Sequence, residues 1–132
     1  MSPLRIFAAA FVLMLALAVI AVWAGGGWLS DAAGDPDEPA HAVTSLLVRD
    51  FLAGEDWAHP AAFGKEYYKN FPKIAMGHYP PVYYLVAGLV LLLWPKIGAL
   101  LVLQAALLAA LGTLVFVAAR RIAGPFQRSA RP

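Results

Sequence analysis

Carboxylate and imidazole side chains lie close together in the segment Asp37-Glu38-Pro39-Ala40-His41. In an α-helix, residues three and four positions apart share a face, so Asp37 and Glu38 would both lie beside His41. This arrangement suits a general acid/base pair or a hard divalent cation held by Asp37 and His41. A purely structural interpretation is also open, in which Asp37 caps a helix, Glu38 favours its dipole and His41 is solvated.

A second histidine precedes two prolines in the segment His78-Tyr79-Pro80-Pro81. Tandem prolines lack backbone N–H donors and restrict the backbone at the beginning of a helix. His78 would thereby be held at the membrane surface, just before that helix. The structural alternative is that the prolines only begin the helix and that His78 is solvated.

A metal-binding module is a further interpretation of the polar residues. It would be built from Asp37, His41, His59 and His78. No pair among them has a dedicated ligand spacing, such as two histidines one helical turn apart. The chain contains no cysteine, which excludes a thiolate metal site and a disulfide framework.

The elements that must position these groups are apolar segments on both sides of a polar one. Of the 132 residues, 61% are hydrophobic, and the mean hydropathy is +0.69. Soluble domains are usually about 45–50% apolar. All eight acidic residues lie between positions 31 and 66. We therefore expect an all-α integral membrane protein with one polar segment between its spans.

Three apolar segments are predicted to cross the membrane. The first, 1–24, includes nineteen uncharged residues, close to the roughly 20 that span a hydrocarbon core about 30 Å thick. The second, 80–95, is short and needs its interfacial tyrosines and Trp94 to help it span. The third is 97–119. A signal peptide is the alternative for 1–24, although its apolar region usually has only about 7–15 residues.

The segment 25–79 is predicted to be an extracytoplasmic loop with a juxtamembrane helix near 38–53. That helix would be interfacial, because most of its large apolar residues fall near one face. The segment 120–132 is a basic tail. With the amino terminus in the cytoplasm, this layout leaves two basic residues inside and eight outside. Since basic residues favour the cytoplasmic side, charge leaves the orientation open.

In this order, the two motifs resemble the amino-terminal part of the C-type glycosyltransferases, which use polyprenyl-phosphate sugars and include protein O-mannosyltransferases and aminoarabinose transferases. In that family, the loop after the first span opens with an Asp-Glu pair. A His-Pro-Pro or Lys-Pro-Pro motif then leads into the second span. Here the matching residues are Asp37-Glu38 with His41, and His78 before Pro80-Pro81. The inserted Tyr79 departs from the family motif.

The resemblance implies a partial C-type fold in a bacterial-type inner membrane. The chain would transfer a hexosyl or pentosyl group from a polyprenyl-phosphate donor to an extracytoplasmic acceptor. Asp37 would act as base or metal-assisting ligand, with Glu38 and His41 in support. The departing lipid phosphate would be neutralised by His78, Arg49 and Lys73. Because family members have many more spans, this chain is expected to be a truncated part, inactive alone.

The alternative is a non-catalytic small membrane protein that associates with other transmembrane helices. Membrane lipid is a partner in both interpretations, and the sugar donor only in the first. No nucleic-acid partner is expected, because the basic residues are scattered and no glycine-rich phosphate loop is present.

Overall fold

The computed structural model describes residues 2–29, 37–54, 57–75, 77 and 79–129, with side chains described up to position 123. Over these residues the chain forms five α-helices and a short 3-10 turn, Gly27–Leu29, without a strand. The helices are α1 (Pro3–Ala24), α2 (Asp37–Ala53), α3 (Pro60–Asn70), α4 (Pro81–Leu93) and α5 (Gly98–Ser129). The predicted all-α class is confirmed for the described part of the chain.

Two helices are long and apolar enough to cross a membrane. They are α1, with 22 residues, and the segment Gly98–Ala123 of α5, with 26 residues. At about 1.5 Å per residue, both are longer than a hydrocarbon core of about 30 Å. In the most apolar stretch of 18 residues in each helix, only 6% of α1 and 22% of α5 is buried within the protein. Such exposed apolar surface fits helices that face lipid.

The helix α4 has only 13 residues and is therefore about 20 Å long. Pro80 occupies its N-cap position and Pro81 begins it, while Trp94 follows its last residue. It is shorter than the hydrocarbon core, so the predicted crossing by 80–95 stays a prediction.

The close packing of α2 against α4 forms the core of a compact unit, Trp28–Leu103. Leu47 of α2 and Ala87 and Leu91 of α4 are buried. Gly88 lets the two backbones approach, because a Cβ atom at this position would lie 2.8 Å from Val48 Cγ1. A larger residue would have to separate the helices.

Two hydroxyl groups in α2 are buried in this unit and fully hydrogen-bonded. Thr44 Oγ1 donates to the Ala40 carbonyl over 2.7 Å, and Ser45 Oγ donates to the His41 carbonyl over 2.8 Å. Thr44 Oγ1 also accepts the backbone N–H of Ala75 over 3.0 Å. This last bond attaches the segment after α3 to the middle of α2.

The helix α3 lies in the segment 25–79, for which the sequence predicted a helix only near 38–53. Pro60 occupies the first helical position, where its missing N–H costs nothing and its fixed φ favours a helix. The ring of Phe63 in α3 lies 5.4 Å from that of Phe51 in α2, centroid to centroid. This aromatic contact gives a short, polar helix a packing partner.

The segments Met1–Gly27 and Gln104–Pro132 form a second compact unit. In it, α1 and α5 lie antiparallel. Pro3, at the beginning of α1, lines a cavity together with Arg121, near the end of α5. Further along, the Met14 sulfur lies 3.4 Å from the position of a Cβ built on Gly112. The beginning of α1 and the end of α5 therefore lie at the same end of this unit.

Three successive crossings would make the first and third spans parallel, with the two ends of the chain on opposite sides of the membrane. If α1 and α5 both cross, their antiparallel arrangement instead gives an even total number of crossings. Hydropathy reports which segments are apolar but carries no information on their direction. For this reason the antiparallel pair could not be predicted from the sequence.

Single cysteines can test this arrangement, since the chain has none of its own. In sealed, oriented membrane vesicles, Ser2→Cys and Ala123→Cys should react with an impermeant maleimide from the same side. Leu107→Cys, inside the apolar segment of α5, should stay unlabelled because the hydrocarbon excludes the reagent. Labelling of positions 2 and 123 from opposite sides would contradict the antiparallel pair.

Replacing Gly88 with alanine should lower the free energy of unfolding by about 1–3 kcal/mol, the usual cost of overpacking. The better helix propensity of alanine offsets up to about 1 kcal/mol of this loss. Denaturant unfolding in detergent, followed by tryptophan fluorescence, measures the change. Gly112→Ala is the matched control, because its added Cβ would make only ordinary contacts with Met14. Equal effects of the two substitutions would show that Gly88 is not a tight packing position.

Candidate functional site

A polar site lies where the beginning of α2 meets the beginning of α4. Asp37 and His41 occupy the first and second turns of α2, and Tyr84 lies in the first turn of α4. His41 Nδ1 lies 2.8 Å from the hydroxyl oxygen of Tyr84. Tyr79, just before α4, donates its hydroxyl hydrogen to Asp37 Oδ2 over 3.2 Å. Two residues of one helix are thus each hydrogen-bonded to a tyrosine of the other segment.

Three phenol rings surround the imidazole of His41. The ring centroids of Tyr79, Tyr84 and Tyr83 lie 4.7, 5.9 and 6.4 Å from that of His41. These separations are in the range of favourable aromatic pairs. We call Asp37, His41, Tyr79, Tyr83 and Tyr84 the Asp-His-Tyr cluster. The imidazole is therefore held in position by ring packing as well as by a hydrogen bond.

Exposure differs across the Asp-His-Tyr cluster. Asp37 is exposed, His41 is half-buried, and Tyr84 is only 4% exposed. Asp37 also lies in the first turn of α2. Its carboxylate is thus accessible from water, while the imidazole beside it connects to a buried phenol.

The two nitrogen atoms of His41 have different surroundings. Nδ1 is engaged with Tyr84, and it accepts the phenol hydrogen when the ring is neutral with Nε2 protonated. Protonation of the ring would reverse this bond, with Nδ1 donating to the Tyr84 oxygen. The cluster can therefore hold a proton on either side of the His41–Tyr84 bond, which is the minimum requirement of an acid/base site.

Glu38, the other predicted acid, is exposed in the first turn of α2. It lies three positions before His41, as the helical spacing predicts. The carboxylate bonded within the cluster is that of Asp37. The structure therefore distinguishes two neighbouring acids that the sequence could not rank by geometry.

The predicted phosphate-binding residues do not all join this cluster. Arg49 lies twelve residues after Asp37 on the same helix, which is about 18 Å along its axis. Its Nε donates to Asp50 Oδ1 over 2.7 Å. Lys73 is exposed in the turn after α3, and His78 lies outside the described residues. Arg49 therefore belongs to a separate network at the other end of α2.

That network joins α2 to α3 through Asp50. The hydroxyl of Tyr67 donates to Asp50 Oδ2 over 3.0 Å, so both carboxylate oxygens are used. Burial of Tyr67, its hydrogen bond to Asp50 and the negative charge of Asp50 raise its pKa from 10.0 to about 12. All three favour the neutral phenol. Arg49 acts in the opposite direction but more weakly.

The metal prediction remains a prediction. Among the residues that the structure describes, no three His, Cys, Asp or Glu side chains come together to hold a cation. Asp37 and His41 lie on one face of α2 and supply two ligand types that a divalent cation accepts. Of the other two residues in the predicted module, His59 occupies the N-cap position of α3, and His78 is outside the described part.

The tyrosines of the cluster were predicted only as interfacial aromatics. The structure shows that Tyr79 and Tyr84 are hydrogen-bonded to Asp37 and His41, two of the three residues that the sequence predicted as catalytic. Their position directly around Pro80-Pro81 was the available signal. It was insufficient, because nothing in the sequence shows that α4 packs on α2.

Comparison of the chain with protein-family models, curated proteins and solved structures finds no match. The resemblance to the C-type glycosyltransferases therefore depends on the motifs, and the site on its geometry.

The Tyr67 hydroxyl provides a test of the Asp50 network by pH. Because the folded pKa is raised above the ordinary value, neutral Tyr67 stabilises the fold fully below pH 10. That contribution should be lost as the pH rises to about 12. In an ultraviolet titration of tyrosine ionisation, Tyr67→Phe should remove one tyrosine from the latest step. The control is Tyr68→Phe, at the neighbouring exposed tyrosine, which should leave the latest step unchanged. If Tyr68→Phe removed a tyrosine from that step, the assignment of the step to Tyr67 would be wrong.

Proposed function

We propose that this chain is part of an integral-membrane glycosyltransferase that uses a polyprenyl-phosphate sugar donor. One observation carries the proposal: an exposed carboxylate, a half-buried imidazole and two phenols converge where α2 and α4 begin. Two of these residues, Asp37 and His41, belong to the motif that resembles the family. The structure adds a second segment, around Pro80-Pro81, to the same place.

In the proposed reaction, Asp37 removes the proton of an acceptor hydroxyl as its oxygen attacks the anomeric carbon of the sugar. The bond between that carbon and the phosphate oxygen breaks, and the polyprenyl phosphate leaves with the electron pair. A positioned base typically accelerates such a step by about 10²–10⁴-fold. Asp37 suits this role because it is accessible to a substrate and Tyr79 fixes one of its oxygens.

His41 would act as a positioning residue for this carboxylate. Its ring packs on Tyr79, which in turn donates to Asp37, and its Nδ1 is anchored by the buried Tyr84. Glu38 adds negative charge at the same helix end. His78 and Lys73 remain candidates for neutralising the departing phosphate, since Arg49 is already paired with Asp50.

The proposed enzyme is anchored by α1 and α5 in an inner membrane, with 25–79 on the extracytoplasmic side, where lipid-linked donors would be used. In the family layout, 80–95 also crosses the membrane as a second span. The proposed site does not depend on this crossing, because it is built only from the beginnings of α2 and α4. Because antiparallel α1 and α5 imply an even number of crossings, a crossing by α4 would require a fourth crossing elsewhere between them.

Asp37→Asn should abolish transfer, with a loss of about 100-fold or more, because an amide cannot accept the proton. The measurement uses membranes of the source cell carrying the tagged protein at its normal locus. Polyprenyl-phosphate hexoses and pentoses, radiolabelled in the sugar, serve as donors. The rate at which label leaves the lipid fraction in a protein-dependent manner reports transfer.

The control for this substitution is Glu66→Gln, which makes the same carboxylate-to-amide change on the exposed surface of α3. It should leave the rate unchanged. An Asp37→Asn variant as active as the unaltered protein would refute the role of Asp37. Absence of any turnover that depends on this protein would refute the proposed reaction.

A second candidate function is a non-catalytic membrane protein that associates with other transmembrane helices. It is favoured by the 4% exposure of Tyr84, since a hydrogen bond buried to this degree would in that case serve to hold α4 on α2. In that case Tyr84→Phe would destabilise the fold by about 1 kcal/mol, and Asp37→Asn would change no reaction. The sugar-transfer assay therefore separates the two functions.

A further inference from the structure

The unit formed by Met1–Gly27 and Gln104–Pro132 carries only positive charge on its side chains. Its sequence has five arginines and no aspartate or glutamate, and the arginine side chains that the structure describes are those of Arg5, Arg120 and Arg121. Because α1 and α5 are antiparallel, these arginines lie at the same end of the unit. No carboxylate side chain of this unit can neutralise them, so they suit an external anion.

A cavity of about 520 Å³ opens at this end between α1 and α5. Arg120 and Arg121 line it on one side, and Pro3 and Ile6 on the other. A guanidinium presents several donors in a planar fork that matches the oxygens of a phosphate. The opening thus has the shape and charge of a site for a phosphate group beside apolar surface.

A second cavity, of about 300 Å³, shares Ile6 and Arg120 with the first. Its other lining residues include Ala10, Met14 and Phe116, all of them apolar. The two cavities therefore form a groove between α1 and α5, which is charged at its opening and apolar further in. We call it the α1–α5 groove.

Arg120 is oriented within the groove by an aromatic ring. Its guanidinium carbon lies 5.9 Å from the centroid of Phe116, in the range of a cation–π contact. This contact holds the charge beside the opening. Arg120 also lies three residues before the end of the apolar segment Gly98–Ala123, at the depth where lipid headgroups meet the hydrocarbon.

We infer that the α1–α5 groove binds an anionic diacyl phospholipid. Its phosphate diester is held by Arg120 and Arg121, and one acyl chain lies along the apolar part beside Ala10 and Phe116. Charge complementarity selects an anionic lipid, while the apolar continuation selects a lipid over a soluble phosphate. The site lies in a different unit from the Asp-His-Tyr cluster and does not depend on the proposed sugar transfer.

Native mass spectrometry of the full chain tests this inference. The protein is released from nanodiscs of mixed phosphatidylcholine and phosphatidylglycerol, and the retained lipids are counted. The unaltered protein should retain phosphatidylglycerol in preference to phosphatidylcholine. Each replacement in Arg120→Gln/Arg121→Gln should reduce that preference about fivefold, the effect expected for one basic residue near an anionic membrane.

The matched control is Lys65→Gln/Lys69→Gln, which removes two positive charges from α3 and should retain the preference. A loss in this control as large as in the arginine variant would show that net charge alone attracts the lipid, and would overturn the site. Circular dichroism checks that each variant keeps its helix content.

Ala10→Trp tests the apolar part, since it fills the groove and leaves both arginines in place. It should also reduce retention of phosphatidylglycerol; unchanged retention would overturn the acyl-chain placement. Glycerol 3-phosphate at millimolar concentration should not compete, because it lacks acyl chains. Competition by glycerol 3-phosphate would show that the groove binds a soluble phosphate and would overturn the inference. Displacement of most phosphatidylglycerol by equimolar polyprenyl phosphate would show that the prenyl lipid is the occupant instead. A lipid-free dimer would show that a second copy of the chain covers the groove.

Discussion

The unit Trp28–Leu103 depends on the close approach of α2 and α4 at Gly88. A side chain at this position would collide with Val48 and approach the backbone nitrogen of Arg49. Its absence brings the beginnings of the two helices within hydrogen-bond distance, so that His41 meets Tyr84. The candidate site is therefore a consequence of backbone packing about one turn further along α4 and two turns further along α2. Residues without chemical function determine whether the functional ones meet.

Polar groups in α2 are arranged so that burial leaves none unsatisfied among the described residues. Thr44 and Ser45 donate to carbonyls of their own helix, and Thr44 also receives an N–H from the segment after α3. At the far end, Asp50 accepts from Arg49 and Tyr67. The helix α2 can thus pack tightly on both sides, because each buried donor or acceptor has a partner.

The antiparallel unit of α1 and α5 has different chemistry. Its helices are apolar along most of their length and carry arginines only near one end, without any carboxylate in the same unit. Such a distribution suits the boundary between lipid and water, where basic residues are attracted to anionic headgroups.

Much of the local structure could be predicted from the sequence. The first apolar segment, the helix near 38–53 and the long apolar segment before the tail are each present, because their signals are local: uncharged length and acidic residues at the start of a helix. α3 was missed because its polar composition conceals a helix that is stabilised by Phe51 of α2. The helix α5 continues to Ser129, into the segment predicted as a basic tail, since arginines end an apolar run without ending a helix.

The sequence by itself determined that Asp37 and His41 share a helical face and that the chain separates into polar and apolar segments. Both follow from spacing along one element. Only the tertiary structure decided that Tyr79 and Tyr84 complete the site, that Arg49 belongs to another network, and that α1 and α5 run in opposite directions. These are contacts between residues distant in sequence, and they depend on which helices pack together, which neither composition nor periodicity specifies.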